Sequence, residues 1–211
     1  MRGPATHDPI PKPHERAGHG ARPRRQMATA TLTGTALLLA MGVALPIVFH
    51  MIPLGGRIFL PMHIPAFLAG LLLGPLSGLI VGAGSPILSM LITGRPPVFL
   101  MLPMFFEIAT YGLVAGLLRP RLEAVFGSGG VSAAGRPKRS PAALMLALAG
   151  AMVAGRLVWV IVVVWLAPVL GIEARALTAA LAALGAGWVG MIIQLILIPS
   201  LVAAIERTRR A

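Results

Sequence analysis

Two side chains of opposite charge, Glu107 and Arg156, lie inside long apolar runs of the sequence. If those runs cross a bilayer, each charge costs about 2.5–3.5 kcal/mol at mid-membrane and should face the interior of a helix bundle or a water-filled cavity. A carboxylate and a guanidinium in such a place can pair with each other or bind a charged solute. Two interpretations therefore stand side by side: a salt bridge that only fixes helix packing, and a recognition site for a small anionic ligand.

Helical spacing extends each charge into a face of side chains. Tyr111 follows Glu107 by four positions and Trp159 follows Arg156 by three, so each pair shares one face of a helix. A cation over an indole ring is an attractive contact. Aromatic rings beside one cation suit a pocket for a small organic anion.

The composition indicates what kind of elements position these residues. Hydrophobic residues make up 57% of the 211 residues, charged residues only 11%, and the mean hydropathy is +0.87. These values are typical of an all-α polytopic membrane protein. A span needs about 20 apolar residues, and breaks at Pro, Gly and charge clusters predict a bundle of six transmembrane helices. The predicted spans are residues 28–49, 58–74, 76–93, 98–118, 142–167 and 177–204.

The second and third predicted spans are separated only by Gly74 and Pro75. Apolar segments this short also occur as re-entrant pairs that do not cross the bilayer. A re-entrant pair is therefore an alternative to two crossings.

Basic residues are distributed unevenly between the predicted loops. With six spans, fourteen Lys and Arg residues fall on the side of both termini and three on the opposite side. The positive-inside rule then places both termini in the cytoplasm. The net charge of +12 fits topology and contact with the lipid bilayer, not nucleic acid, because the chain has no basic, aromatic-studded nucleic-acid fold. Residues 1–26 are predicted to be a disordered basic tail, residues 27–206 the membrane domain, and residues 119–141 a flexible cytoplasmic linker.

Depth along the predicted spans brings the two charges together. Glu107 lies nine residues into span four, about 14 Å below the outer surface, and Arg156 lies eleven residues from the end of span five, about 16 Å. Trp188 falls on the same level of span six, and His63 lies nearer the outer mouth, either as a packing residue or as a ligand contact. The candidate solute-binding residues are therefore His63, Glu107, Tyr111, Arg156, Trp159 and Trp188.

Small residues recur every fourth position in several of the predicted spans, and two of these series bear on helix contacts. One series is Gly70, Gly74, Gly78 and Gly82, and the other runs through Ala36 and Ala40 of span one. In lipid, helices associate by close packing, so such series predict seams between helices. We expect the glycine seam to lie within the bundle. The alanine seam has two interpretations, packing within the bundle and contact with another protein.

Several kinds of chemistry lack their residues. The chain has no cysteine, its only lysines are Lys12 and Lys138, and its only aspartate is Asp8. Disulfides, cysteine metal sites and a Walker loop are therefore excluded, and neither HExxH nor GxSxG occurs. We expect no enzyme activity, no metal and no cofactor. A protein that binds or translocates a solute remains.

The chain resembles a known family, the substrate-binding S components of energy-coupling factor (ECF) vitamin transporters. The resemblance covers residues 28–205. It rests on LPMHIP at Leu60 to Pro65, on LLLGPLSGLIVGAGSPILSMLITGRPP and on FEIATYGLVAGLL around Glu107, with weaker support from AGRLVW and IIQLILIP. It implies a six-helix bundle in the bacterial plasma membrane, whose outward-facing pocket holds a vitamin or precursor.

The resemblance also implies partners. Transport in this family is driven by a transmembrane coupling subunit and two cytoplasmic ATPase subunits, which agrees with the missing Walker loop. The first helix of the family meets the coupling subunit through an AxxxA pattern, which Ala36 and Ala40 match. The LPMHIP and FEIATYG runs look most like the branch of pantothenate-type carriers, and Arg156 would suit a carboxylate.

Two other classes of function are weighed beside this one. A solitary secondary transporter should show an inverted repeat and broken helices around a midplane site, and neither is visible. A membrane subunit of polyprenyl metabolism should carry an aspartate-rich diphosphate site, and the chain has none.

Overall fold

The computed structural model describes residues 21–50, 60–127, 140–169 and 174–208. All regular elements in these ranges are helices, as the composition predicts. They are α1 (Ala21–His50), α2 (His63–Leu73), α3 (Pro75–Thr93), α4 (Val98–Phe126), α5 (Pro141–Val169) and α6 (Ala174–Thr208).

The boundaries of two predicted segments differ from those of the helices. α1 begins at Ala21, inside the stretch predicted as a tail, and residues 1–20 lie outside the described residues. α4 continues to Phe126 through Pro120, so the start of the predicted linker is helical. The middle of that linker, residues 128–139, also lies outside the described residues.

The prediction of six transmembrane helices is confirmed only in part. Within the described residues, five helices are long and apolar enough to cross a membrane, and α2 is a shorter apolar helix of 11 residues. Eleven residues rise about 16 Å, roughly half of a hydrocarbon core. α2 begins only at His63 because Leu60, with φ of 45°, turns the chain just before it. Residues 51–59, which hold the predicted start of this span, are not among those described.

Contacts between neighbouring helices give their relative directions. Thr35 of α1 donates to Ser77 of α3 over 2.9 Å, and Gly42 packs against Ser85, so α1 and α3 are parallel. Gly78 and Gly82 of α3 meet α4 at successively earlier positions, so α3 and α4 are antiparallel.

An ion pair shows which ends of α4 and α6 lie together. Arg119, near the end of α4, pairs with Glu206, near the end of α6. α4 and α6 therefore end on the same side of the bundle, which is also where α1 begins. We call this the terminal side.

The glycine seam lies within the bundle, as expected. A Cβ atom built on Gly78 would overlap the backbone carbonyl of Gly112 and the Cα atom of Gly70. α2 and α3 thus form an antiparallel pair joined at Gly74, and both lie backbone to backbone against α4. Such close contact replaces the hydrophobic driving force that is missing in lipid.

The apolar core fills the space between α2, α4, α5 and α6. Phe67, Tyr111, Leu148 and Ile198 are all fully buried there. Large apolar side chains on the outer faces of the same helices remain exposed, which suits a protein surrounded by lipid. The core side chains hold α4 and α5 together at the level of the two predicted charges.

Candidate functional site

Glu107 lies at the centre of a buried polar cluster formed by α2, α4 and α5. The Tyr111 hydroxyl, one turn further along α4, donates to Glu107 Oε1 over 2.7 Å. Arg156 Nη1 of α5 lies 3.0 Å from the same oxygen. His63 Nε2 of α2 lies 4.0 Å from the other oxygen, Oε2. We call His63, Glu107, Tyr111 and Arg156 the Glu107 cluster; the depth argument brought its two charges together correctly.

The rings of the cluster stack into the core. Tyr111 packs against Phe67 with centroids 4.9 Å apart, and the His63 ring lies 5.3 Å from the Tyr111 ring. Glu107, His63 and Tyr111 are each 2% exposed or less, whereas the Arg156 side chain is 18% exposed. The carboxylate therefore lies in a dry interior, and the Arg156 side chain is the most exposed part of the cluster.

The carbonyl of Leu60 fixes the far side of His63. It lies 3.2 Å from His63 Nδ1 and accepts a hydrogen bond of 3.2 Å from the Gln194 amide of α6. Leu60 has a positive φ of 45°, a left-handed conformation that is costly for a branched side chain. Strain of this kind is concentrated at functional sites, where the surrounding structure holds it in place. Leu60 begins the LPMHIP run, but its residue type does not indicate this role, because its contribution is a backbone carbonyl.

Two glycines make room for the cluster. A Cβ atom on Gly155 of α5 would overlap the Tyr111 ring, so this glycine allows α5 to approach α4. A Cβ atom on Gly187 of α6 would overlap Arg156 Nη2. The guanidinium thus occupies the space that a side chain at position 187 would fill. The sequence signal for Gly187 is its level in span six, the level that led to Trp188.

Three nitrogen atoms of the cluster are buried without a hydrogen-bond partner among the described residues. They are His63 Nε2, Arg156 Nε and Arg156 Nη2. Nε and Nη2 form one edge of the guanidinium, the edge that a carboxylate meets with two parallel hydrogen bonds. An unsatisfied buried polar atom costs about 1–3 kcal/mol, so a native site that keeps three of them is a candidate for ligand binding.

The two tryptophans predicted for the site, Trp159 and Trp188, lie apart from the Glu107 cluster. Trp159 is buried one turn beyond Arg156, where it packs with Val163 and Val160. Trp188 is 63% exposed on the outer face of α6. Its depth matches that of Glu107, but adjacent residues on a helix point about 100° apart, and Gly187 is the one that faces Arg156. The structure therefore does not bring Trp188 to the site.

Comparison with protein-family models gives the family. The model described as ECF transporter, substrate-specific component, matches residues 30–205. The chain belongs to this family. No curated protein and no solved structure matched the chain in the corresponding comparisons. The chain is thus a multi-pass membrane protein of a transporter family, a substrate-binding subunit and not a member of an enzyme family, and the resemblance noted from its motifs is confirmed.

A second buried ionic cluster of this S component lies on the terminal side. Arg119 Nε donates to Glu123 over 3.0 Å, Nη1 donates to the Leu71 carbonyl over 2.8 Å, and Nη2 pairs with Glu206. We call Arg119, Glu123, Glu206 and the Leu71 carbonyl the Arg119 cluster. It joins the ends of α2, α4 and α6. The prediction that Arg119 lies in a flexible linker was wrong, although the spacing of Arg119 and Glu123 could have indicated a further helical turn.

The alanine seam faces outward. Ala36 and Ala40 are both exposed, whereas Thr35 and Gly42 on the other face of α1 are buried against α3. The exposed alanines are flanked by Leu32, which is 71% exposed, and Leu37, which is 62% exposed. This face is free to contact lipid or another membrane protein.

The described residues form no candidate metal site. Within the described ranges, no group of three or more His, Cys, Asp or Glu side chains comes together in a way that could hold a metal ion. The Glu107 cluster offers hydrogen bonds and charge, which are means of recognition.

Proposed function

We propose that this S component captures a vitamin or related micronutrient from outside the cell, with a pantothenate-like anion as the favoured substrate. The solute would then be delivered by ATP-driven uptake through the coupling subunit and the two ATPase subunits of the complex. The observation that carries the substrate-binding role is the Arg156 guanidinium, of which one nitrogen pairs with Glu107 and the other two have no partner among the described residues.

A purely structural ion pair explains this arrangement less well. Burying a charged pair is favourable only when the remaining hydrogen-bonding atoms are also satisfied. Here the pair leaves the Nε and Nη2 edge of Arg156 unsatisfied. A solute carboxylate on that edge would supply the two missing acceptors, so we assign recognition to Arg156, Glu107, Tyr111 and His63.

The exposed alanine face of α1 is the proposed contact with the coupling subunit. Small side chains allow the backbones of two helices to approach closely. Ala36→Trp or Ala40→Trp should therefore abolish uptake and pull-down of the coupling subunit, while the purified variant still binds solute. Val153→Trp is the matched control, because position 153 is 61% exposed on α5, away from this face. Normal assembly and uptake by both alanine variants would assign the seam to lipid contact.

We further propose that the terminal side faces the cytoplasm. The chain has no cysteine, so single cysteines report on one position each. Thr208→Cys, at the end of α6, should be protected from an impermeant thiol reagent in intact cells, and Thr93→Cys, at the opposite end of α3, should be labelled. Both threonines are exposed. Labelling of Thr208→Cys without permeabilisation would reverse the proposed orientation.

A further inference from the structure

The hydrogen bond between His63 and Leu60 determines which ring nitrogen of His63 carries a hydrogen. The Leu60 carbonyl can only accept, so Nδ1, at 3.2 Å from it, must be the donor. In a neutral imidazole the other nitrogen, Nε2, is then an acceptor. Leu60 also accepts from the backbone N–H of His63 over 3.0 Å, which fixes the ring relative to its own backbone.

This tautomer places two acceptors opposite each other. In the neutral form with its hydrogen on Nδ1, the unprotonated Nε2 atom faces Glu107 Oε2 at 4.0 Å, and the two side chains are 3% exposed each. A carboxylate oxygen and an imidazole lone pair repel each other in a dry interior, where unfavourable polar contacts are not screened by water. A single hydrogen between Nε2 and Oε2 converts the repulsion into a charge-assisted hydrogen bond.

The charge balance of the Glu107 cluster is a second reason to expect a hydrogen between His63 Nε2 and Glu107 Oε2. Without a ligand, Glu107 and Arg156 cancel, and a neutral His63 leaves the net charge at zero. An anion bound at Arg156 leaves one uncompensated negative charge inside the bundle, which is unfavourable there. One proton on His63 restores neutrality.

Within the Glu107 cluster, only His63 and the Glu107 carboxylate could take this proton, and the His63→Gln variant distinguishes the two. His63 is faced by Glu107 and Tyr111 from α4, by Arg156 of α5 through Glu107, and by the uncharged Gln194 of α6 through Leu60. The described part of α2 has no other titratable residue, and the membrane-spanning parts of α1 and α3 have none. Arg156 is always charged, and Tyr111 already donates to Glu107.

We propose that His63 Nε2 is a proton-binding site that takes up one proton with each anion bound by Arg156. The proposal rests on the proposed capture of an anion and specifies its proton stoichiometry. The proton satisfies Glu107 Oε2 from the side of His63. Glu107 therefore no longer depends on Arg156 alone for charge compensation. The free edge of the Arg156 guanidinium can then pair with the anion.

The experiment measures protons taken up on binding to the detergent-purified full chain. Calorimetric titrations with D-pantothenate are run in phosphate and in Tris, whose different ionisation enthalpies reveal proton transfer. We expect one proton per pantothenate for wild type and for the control His19→Gln, and none for His63→Gln. D-panthenol, the neutral alcohol analogue, should bind weakly and without proton uptake.

Two results would overturn the proposal. One is pantothenate binding to wild type with no proton taken up, and the other is uptake of one proton by His63→Gln. If no vitamin binds, the proposed function fails separately, and ¹⁵N NMR of His63 in the ligand-free protein decides the proton site. A neutral ring with its hydrogen on Nδ1 supports it, whereas an imidazolium or an Nε2–H tautomer contradicts it.

Discussion

Arg119 and Arg156 of this S component lie on neighbouring helices but differ in how many of their nitrogens are hydrogen-bonded. Arg119 uses all three guanidinium nitrogens, on Glu123, on Glu206 and on the Leu71 carbonyl. Arg156 uses one, on Glu107, and its other two nitrogens are buried without a partner among the described residues. The two clusters are twelve residues apart along α4, about 18 Å.

The number of guanidinium nitrogens that the protein itself satisfies distinguishes a structural role from a recognition role. A buried guanidinium whose three nitrogens are all engaged by the protein offers no free edge to a ligand, and its removal takes a positive charge away from buried carboxylates. A guanidinium with a free edge is incompletely satisfied in the ligand-free state and gains when an oxyanion arrives. The Arg119 cluster therefore stabilises the fold, and the Glu107 cluster is the place for a solute.

Loss of Arg119 should have the largest effect on stability. Arg119→Met leaves Glu123 and Glu206 without their guanidinium and removes the donor to the last turn of α2. We expect a loss of about 3 kcal/mol, the low end for a broken buried ion pair, because both carboxylates keep some contact with solvent. Thermal unfolding in detergent measures it, and Arg121→Met, at an exposed position two residues away, is the control.

Solute binding by the Arg119 variant tests whether this residue has only a structural role. Arg119→Met protein that remains folded should bind solute with wild-type affinity. A large loss of affinity without a loss of stability would assign Arg119 to recognition and would remove the distinction between the two clusters.

Arg156→Met should have a smaller effect, and one that appears in binding. A charge-assisted hydrogen bond contributes about 1.5–3 kcal/mol, so affinity should fall by roughly one to two orders of magnitude. The measurement is a titration of detergent-purified protein against a vitamin panel, with thermal stability recorded in parallel. Arg95→Met, at an exposed position between α3 and α4, should bind normally.

The double variant separates recognition from packing. Combining Arg156→Met with Glu107→Gln removes both charges, so stability should recover relative to Arg156→Met alone. Affinity should remain low, because the free edge of the guanidinium is gone. Wild-type affinity in the double variant would show that the pair only holds α4 against α5.

The sequence predicts depth better than direction. Counting residues from the predicted span ends placed Glu107 and Arg156 on one level, because every residue of a helix adds the same rise. The same count selected Trp188, whose side chain points outward while Gly187 faces the guanidinium. The direction of a side chain depends on which helix packs where, and the apolar surface of a membrane helix gives little indication of its buried face.

The sequence pattern also did not predict the role of the Leu60 carbonyl or the helical position of Arg119. The Leu60 carbonyl acts through its backbone, so no residue type announces it. Arg119 was assigned to a linker because the predicted spans were ended at Pro, Gly and charge clusters, yet α4 continues through Pro120 to Phe126. Proline removes one hydrogen bond from a helix, and that loss is tolerable where the end of the helix is held by the ion pairs of Arg119.

The smallest effect we expect is that of Tyr111→Phe. The Tyr111 hydroxyl donates to Glu107 Oε1, which also receives Arg156 Nη1, so its removal does not leave that oxygen without a donor. Stability should therefore fall by only about 1 kcal/mol, the net value of one buried hydrogen bond. Thr35→Val is the matched control, because it removes the buried hydrogen bond to Ser77 between α1 and α3. Thermal unfolding should give similar losses for the two variants, but only Tyr111→Phe should also weaken solute binding, since its hydroxyl helps to hold the carboxylate that orients Arg156. Equal affinity in both variants would place Tyr111 with the packing residues and restrict the recognition site to Arg156, Glu107 and His63.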